Sequence, residues 1–192
     1  MALTVAHDPA VTALRGAVDA FLRTTRSLPE VALLEPSRCL GWTRFDVVDH
    51  VLAGWSELFA GLADRTDGPP TVDAASYWTA YAEQESGADP VLVVMAQRRH
   101  ALAHSRPSAA VTALDAVGAQ LDRVVANLPE GHHAFQGHVL TSGDLLTTWA
   151  VETVIHQHDV EAGDDLPEAA LDLAHRTAEH VPDLAGRLPT GT

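Results

Sequence analysis

Apolar residues recur at intervals of three and four along most of the chain, which places them on one face of an α-helix. The longest segments with this spacing cover about 8–27, 43–62, 108–127 and 141–161, and shorter ones cover 90–104 and 167–181. Strand signals are few: a short extended piece is predicted at 138–140, and a short helix is one interpretation of 77–85. The pattern therefore predicts an all-α fold, an antiparallel four-helix bundle with extra short helices.

Two Thr-x-x-Asp sequences indicate where helices begin. Thr43 with Asp46, and Thr141 with Asp144, have the spacing of a capping box, in which two side chains bond the free backbone N–H groups of the first turn. Pro167 suits the first position of the last helix, since proline has no N–H that would be left unbonded there.

The length of 192 residues suits one domain, which we expect to span 1–192. No stretch approaches the roughly 20 apolar residues of a membrane span, and the first residues lack the basic start and apolar run of a signal peptide. The single cysteine, Cys39, excludes an internal disulfide and fits a reducing compartment. We therefore expect a cytoplasmic protein.

The net charge of −14, from 12 basic and 26 acidic residues, argues against nucleic acid and anionic membranes as partners. Both of these partners need a positively charged protein surface. A small-molecule substrate is the expected partner. A homodimer is a further expectation, because small bundles with an apolar outer strip often pair.

The segment VETVIHQHDV (151–160) places ionisable side chains inside an apolar stripe. On a helix at about 100° per residue, Glu152 and His156 lie about 40° apart, and Asp159 lies about 20° from Glu152. His158 lies about 160° from His156, so it is not expected to share their site. Because apolar neighbours flank Glu152, its carboxylate is predicted to face the bundle interior.

A buried carboxylate needs a proton, a cationic partner or a metal ion, since burying it unpaired costs several kcal/mol. Glu152 and His156, four residues apart, can reach one divalent ion, and bundle interiors are a recurrent place for such sites. The same spacing is common on helices that bind nothing, so a paired core carboxylate is the alternative. Asp159 either orients a ligating histidine or carries a charge at a solvated helix end.

A metal site needs at least a third ligand, and His50 is the candidate. This histidine lies in GWTRFDVVDHV (41–51), at the edge of the apolar stripe of the second helix. The alternative interpretation is a half-exposed histidine near a helix start.

The two segments together resemble one family. GWTRFDVVDHV is similar to the GWT-x-x-D-x-x-x-H start of the second helix in the DinB-like superfamily, and more specifically in the N-terminal domain of mycothiol-dependent maleylpyruvate isomerase. ETVIHQHD (152–159) matches the E-x-x-x-H-x-x-D of the last bundle helix in that family. The tail LPEAALDLAHRTAEHVPDL (166–184) is also similar to the segment after that helix in these proteins.

The resemblance implies a DinB-like bundle with a divalent metal ion, usually zinc, at one end. The ligands would be two histidines and one glutamate, which fall on His50, His156 and Glu152. Asp159 is then the catalytic-site candidate that holds His156 in the right tautomer. Mycothiol is the implied cosubstrate. The isomerase carries a second, C-terminal domain for which this chain is too short, so its isomerase activity is not carried over.

Three protein ligands leave zinc an open position, where a thiol loses its proton and becomes a nucleophile. We therefore expect a zinc-dependent thiol transferase or isomerase that uses a low-molecular-weight thiol such as mycothiol on a small electrophile. Two alternatives stay open. One is a metal-dependent hydrolase with water as the nucleophile, and the other is a non-catalytic bundle that binds a small molecule or a protein.

Several other polar residues have simpler interpretations. Arg44, Arg98 and Arg99 could meet a substrate carboxylate, but nothing in the sequence places them at the metal, so solvated charges are the simpler interpretation. Cys39 is interpreted as a small buried hydrophobe.

The remaining histidines are not expected to form a site. His100 and His104 are predicted near a helix C-terminus, with no carboxylate partner nearby. His132, His133 and His138 are interpreted as surface residues of a loop.

Overall fold

The computed structural model describes residues 3–84, 86–160 and 166–189. The helices, in chain order, are α1 (His7–Ser27), a short 3₁₀ helix (Glu30–Leu34), α2 (Arg44–Ala63), α3 (Ser76–Gln84), α4 (Pro90–Ala101), α5 (Pro107–Ala126), α6 (Ser142–Asp159), α7 (Glu168–Ala178) and α8 (Pro182–Ala185). The predicted all-α fold is confirmed. Two predicted helix ends, residues 85 and 161, lie outside the described residues.

Four long helices form the bundle. α1 packs against α5 and α6, and α2 packs against the same two helices, while α7 covers α1 and α6 from outside. The apolar stripes meet in a core in which the rings of Phe21 and Trp55 contact each other edge to face, with centroids 5.8 Å apart. No helix in the described parts of the chain has the length and apolar character needed to cross a membrane.

A small antiparallel sheet lies beside the bundle. Strand β1 (Arg65–Thr66) pairs with β2 (His132–Phe135), which forms a hairpin with β3 (His138–Thr141). The extended piece predicted at 138–140 is confirmed, but the two other strands were not predicted, because they are too short to carry a clear alternation of apolar and polar residues.

The hairpin also changes the interpretation of one histidine. His133 is fully buried, so its assignment to the surface was wrong. Side chains alternate along a strand, and His133 and Phe135 therefore point to the same, buried side. Burial lowers the pKa of His133 and favours its neutral form.

The predicted helix starts agree with the structure to within one residue. Thr43 caps α2, and Asp46 bonds back to the Thr43 backbone, so the full capping box is present. Thr141 caps α6 through the Asp144 N–H, but the Asp144 carboxylate accepts instead from the Thr141 hydroxyl and from the Val5 N–H at 2.8 Å. Asp144 thus also binds the N-terminal segment to the start of α6.

Helix α4 is held to α2 by a fully buried carboxylate, Asp49. Its Oδ2 lies 2.6 Å from His100 Nδ1 and accepts a 2.7 Å hydrogen bond from Gln97 Nε2, and its Oδ1 lies 3.1 Å from His104 Nε2. The expectation that His100 and His104 have no carboxylate partner was therefore wrong. The partner lies on a different helix, which only the packing of α4 on α2 brings near.

Candidate metal centre

The three predicted ligands come together between α2 and α6. His50 lies on α2, and Glu152 and His156 lie one turn apart on α6. Oε1 of Glu152 lies 2.9 Å from Nε2 of His156 and 3.5 Å from Nε2 of His50. One ligand atom from each of the three side chains lies within 4.8 Å of the others. His158, as the helical geometry predicted, is not part of this cluster.

These residues fit a divalent metal ion. Two ligand atoms that lie about 2.0–2.1 Å from one tetrahedral zinc are about 3.3 Å apart, and the distances of 2.9 and 3.5 Å from Glu152 to the two histidines lie on either side of this value. Two imidazoles and one carboxylate are also a donor set that zinc accepts in three-ligand sites. In the third pair, the ligand atoms of His50 and His156 also lie within 4.8 Å of each other.

Asp159 contacts the back of the His156 ring. Its Oδ2 lies 3.0 Å from Nδ1 of His156, and the same oxygen accepts from the Cys39 thiol at 3.1 Å and from Nη2 of Arg187 at 3.4 Å. Because a carboxylate accepts hydrogen bonds, Nδ1 carries the proton in this pair. The other ring nitrogen, Nε2, is therefore the one that faces Glu152 and His50.

The connection before α2 brings Cys39 to Asp159. The Arg38 N–H donates to the Asp159 backbone oxygen at 3.0 Å, and a bridge between Pro36 and Thr43 closes the loop that contains Cys39. Cys39 is half-buried and its thiol donates to a carboxylate, so it is not the buried hydrophobe that the sequence predicted.

Electrostatic coupling sets the charges of the three-residue group when no metal is bound. Burial raises the pKa of Glu152, but the imidazoles of His156 and His50 outweigh burial and hold that pKa well below the ordinary value of 4.5. Burial lowers the pKa of His156, but Glu152 and Asp159 outweigh it and raise that pKa well above 6.5. Without metal, the pair is therefore an ionised carboxylate and an imidazolium.

Two tryptophans hold the helices that carry the site. Trp55 is fully buried, and its Nε1 donates to Oγ1 of Thr153 at 3.2 Å, which links α2 to α6 beside the ligands. Trp42 is only half-buried, and its ring lies 5.1 Å from that of His50 between centroids. Trp55 thus lies in the core, whereas Trp42 packs against a candidate ligand.

Two cavities meet at His50 and Glu152. The smaller, of about 270 Å³, has aromatic walls formed by Tyr77, Trp78, Tyr81 and Trp149. The larger, of about 580 Å³, shares Trp78 and Tyr81 with the smaller one and is also bordered by apolar side chains. It differs in its charged and polar side chains, which are Arg38, Cys39, His156, His158, Asp159 and Arg187. The candidate metal centre is thus accessible from two sides, and among the described residues arginines border only the larger of the two cavities.

The small cavity depends on close packing of α2 against α6. A Cβ atom on Gly54 would lie 2.7 Å from Cζ3 of Trp149, so glycine is needed for Trp149 to lie across α2. Phe135 of the hairpin packs against Trp149 and Tyr77, with ring centroids 5.9 and 6.3 Å away. The sheet therefore supports the aromatic wall.

None of the arginines considered in the sequence borders either cavity. Nη1 of Arg44 pairs with Glu35 at 2.8 Å, Nη2 of Arg98 donates to a backbone oxygen at 2.8 Å, and Arg99 is exposed. The cationic residues at the larger cavity, Arg38 and Arg187, were missed. No sequence signal indicates them, because loop and tail packing alone bring them to α6.

Comparison with known proteins gives the family. Residues 14–161 match the family described as the mycothiol maleylpyruvate isomerase N-terminal domain. The chain is also similar to a crystal structure of the mycothiol-dependent maleylpyruvate isomerase, with a TM-score of 0.62 and 19% identity over 88% of this chain and 68% of that chain. A crystal structure of a histidine-to-alanine mutant of the isomerase matches over the same fractions of the two chains, with a TM-score of 0.59 and 18% identity.

At these identities the two solved structures establish the fold. No protein of curated function matches the chain. The family match covers most of the chain and includes all three candidate ligands and Asp159. The chain therefore belongs to the mycothiol maleylpyruvate isomerase N-terminal domain family.

Proposed function

We propose that this chain is a metal-dependent enzyme that adds a low-molecular-weight thiol, of the mycothiol type, to a small electrophile. The observation that carries the proposal is the convergence of His50, Glu152 and His156 at the junction of two cavities. The family and the solved relatives, which are named for a mycothiol-dependent isomerase, support the thiol. We propose zinc as the metal, because the donor set suits it.

A bound zinc ion with three protein ligands supplies an open coordination position at which a thiol loses its proton. Glu152 and the two histidines would hold the ion so that its open position lies where the two cavities meet. Asp159 keeps the proton of His156 on Nδ1 and so leaves Nε2 available as a ligand atom. We propose that Asp159 is a positioning residue and does not itself touch the substrate.

The two cavities suit two reactants of different size. We propose that the larger cavity takes the thiol and the smaller one takes the electrophile. A carbon–sulfur bond forms as the carbon–carbon double bond opens, and the thiol proton moves to the neighbouring carbon in a transfer reaction. In an isomerisation, rotation about the resulting single bond precedes cleavage of the carbon–sulfur bond, which returns the thiol. Isomerisation of maleylpyruvate itself is not part of the proposal, because about a third of the solved relative has no counterpart here.

Metal content tests the metal part of the proposal. We would measure zinc in untagged protein that has been exposed to zinc and then desalted, for wild type, Glu152→Gln, His156→Ala and His50→Ala. The control is His175→Ala, since His175 is exposed on α7 and borders neither of the two cavities. We expect about one zinc per chain in wild type and in the control, and strong loss in the three ligand variants.

Thiol dependence tests the reaction. Zinc-loaded wild type should consume an electrophilic enone faster with mycothiol present than the uncatalysed mixture does, and Glu152→Gln should lose this acceleration. No zinc in wild type would overturn the metal site. A rate of enone loss that does not change when thiol is added would instead indicate that water is the nucleophile and adds across the double bond.

A further inference from the structure

We propose that the smaller cavity selects a neutral or cationic electrophile with a flat apolar body and discriminates against one that carries a carboxylate. The proposal rests on the proposed thiol addition and assigns the class of its substrate. The substrate class would distinguish this chain from an enzyme that acts on small dicarboxylates, although both would use the same kind of metal centre.

The walls of the cavity suit a flat apolar group. Four aromatic rings border it, and those of Tyr77 and Tyr81 are nearly parallel, with centroids 6.2 Å apart. The volume of about 270 Å³ is near the lower limit of ~300–1,000 Å³ for pockets that hold drug-sized ligands. A single ring with a short side chain therefore fills it.

The polar side of the cavity presents hydrogen-bond acceptors. The hydroxyl of Tyr77 donates to Oε1 of Gln136 at 2.6 Å, and Nε2 of Gln136 donates to Oε1 of Glu57 at 2.9 Å. The carboxylate of Glu57 fixes the direction of both hydrogen bonds, because an ionised carboxylate accepts hydrogen bonds and does not donate them. The Tyr77 proton is therefore already used, so a carboxylate placed beside these two hydrogen bonds would meet the oxygens of Tyr77 and Glu57. The Nε1–H of Trp78, which also borders the cavity, has no hydrogen-bond partner among the described residues but is buried.

The charges at the cavity have the same sign. Glu57 and Glu152 both border it, and its lining includes no arginine. A divalent ion held by Glu152 and two neutral imidazoles would leave one positive charge, and the thiolate of the proposed reaction would cancel it, so that the charge of Glu57 remains at the rim. The pKa of Tyr77 is raised, first by burial and then by the charges of Glu152, Tyr81 and Glu57. The cationic side chains Arg38 and Arg187 border the larger cavity instead.

The backbone of Gln136 is a second, independent indication that this side chain serves the cavity. Gln136 has a φ of 47° and Gly137 a φ of 80°, in a two-residue hairpin turn between Phe135 and His138. Glycine, asparagine and aspartate are the usual residues with positive φ in such turns. A glutamine held there at a cost in strain points to a functional side chain.

Binding of non-reactive probes tests the selection separately from the reaction. The probes are benzylacetone and its para-carboxy and para-aminomethyl derivatives, which lack the double bond and cannot accept a thiol. Dissociation constants would be measured by calorimetry, with mycothiol present to occupy the open zinc position, on zinc-loaded wild type, Glu57→Gln and the charge-matched control Glu83→Gln. Glu83 is exposed on α3 and does not border the cavity.

We expect the neutral and aminomethyl probes to bind wild type at least about tenfold more tightly than the carboxy probe, a difference of about 1.4 kcal/mol. Glu57→Gln should lower the affinity ratio of the aminomethyl to the carboxy probe several-fold, and Glu83→Gln should leave that ratio unchanged. Equal or tighter binding of the carboxy probe overturns the proposal, as does an equal change of the ratio in both variants. Failure of all three probes to bind also overturns it.

The corresponding enones, benzylideneacetone and its two derivatives, are then assayed with mycothiol. If the expected binding preference is found but none of the enones reacts, the proposed thiol addition fails and the charge selection of the cavity stands. If the enones react but the carboxy compound reacts as fast as the neutral one, the selection fails and the thiol addition stands.

Discussion

Oδ2 of Asp159 lies 3.0 Å from Nδ1 of His156, and this contact decides which nitrogen of the ring faces Glu152 and His50. The same oxygen accepts from Cys39 and Arg187. One buried carboxylate thus connects the candidate metal centre to the wall of the larger cavity.

Replacing Asp159 should weaken metal binding without removing a ligand. We expect Asp159→Ala to lower zinc affinity about 10–100-fold, the usual cost of losing a partner that orients a ligating histidine. Asp159→Asn should cost less, because its amide oxygen can still accept from Nδ1. Competition with a chromophoric chelator measures both, with exposed Asp172→Ala as the control. Wild-type affinity in Asp159→Ala would contradict the positioning role.

Metal binding should release a proton at neutral pH. The pKa of His156 is raised well above 6.5 in the metal-free protein because Glu152 and Asp159 outweigh the effect of burial, so the ring is protonated at pH 7. A ligating imidazole nitrogen must lose that proton, and zinc affinity therefore rises with pH until the pH exceeds the metal-free pKa of His156.

Calorimetry of zinc binding in buffers with different ionisation enthalpies measures this release. We expect about one proton per zinc at pH 7 from His156, and less than this in Asp159→Asn, which lacks one of the carboxylates that raise the pKa of His156. Observed enthalpies that do not depend on the buffer would contradict the imidazolium–carboxylate pair.

Asp49 should stabilise the placement of α4. Asp49→Ala removes a buried acceptor of three side chains, and we expect it to lower the free energy of unfolding by about 1–3 kcal/mol. The control, Asp122→Ala, breaks an exposed pair with Arg15 and should cost less than about 1 kcal/mol. Urea unfolding measures both variants.

The Asp49 substitution should also be visible locally. Limited trypsin digestion should cut Asp49→Ala faster than wild type after Arg98 and Arg99, since both lie on α4. Unchanged cutting at these two sites would show that other contacts hold α4 in place.

Gln136→Asn should separate stability from binding. Asparagine is preferred where the hairpin turn needs positive φ, and this gain offsets the loss of a hydrogen bond to Tyr77 or Glu57, so we expect the free energy of unfolding to change by less than about 1 kcal/mol. The shorter side chain cannot reach both Tyr77 and Glu57, so benzylacetone should bind several-fold more weakly. Thermal unfolding and calorimetry measure the two effects. Wild-type binding in this variant would show that Gln136 has no role in the cavity.

The helices and half of the candidate site could be predicted from the sequence, because both depend on local geometry. A period of 3.6 residues decides which side chains share a helix face, so the i, i+4 spacing of Glu152 and His156 was enough to pair them. The Thr43 capping box was equally local. His50 was placed by resemblance to a family, since nothing in its own helix indicates a partner on α6.

Tertiary packing decided the rest. The short strands have too few residues for a periodic signal, yet they bring Gln136 and Phe135 to the small cavity. Asp49 meets His100 and His104, and Arg187 meets Asp159, across separate segments of the chain. Such contacts depend on how side chains of different helices and loops fill space together, which no single segment specifies. The sequence alone therefore indicated a helical bundle with a glutamate–histidine pair, and only the fold showed what surrounds that pair.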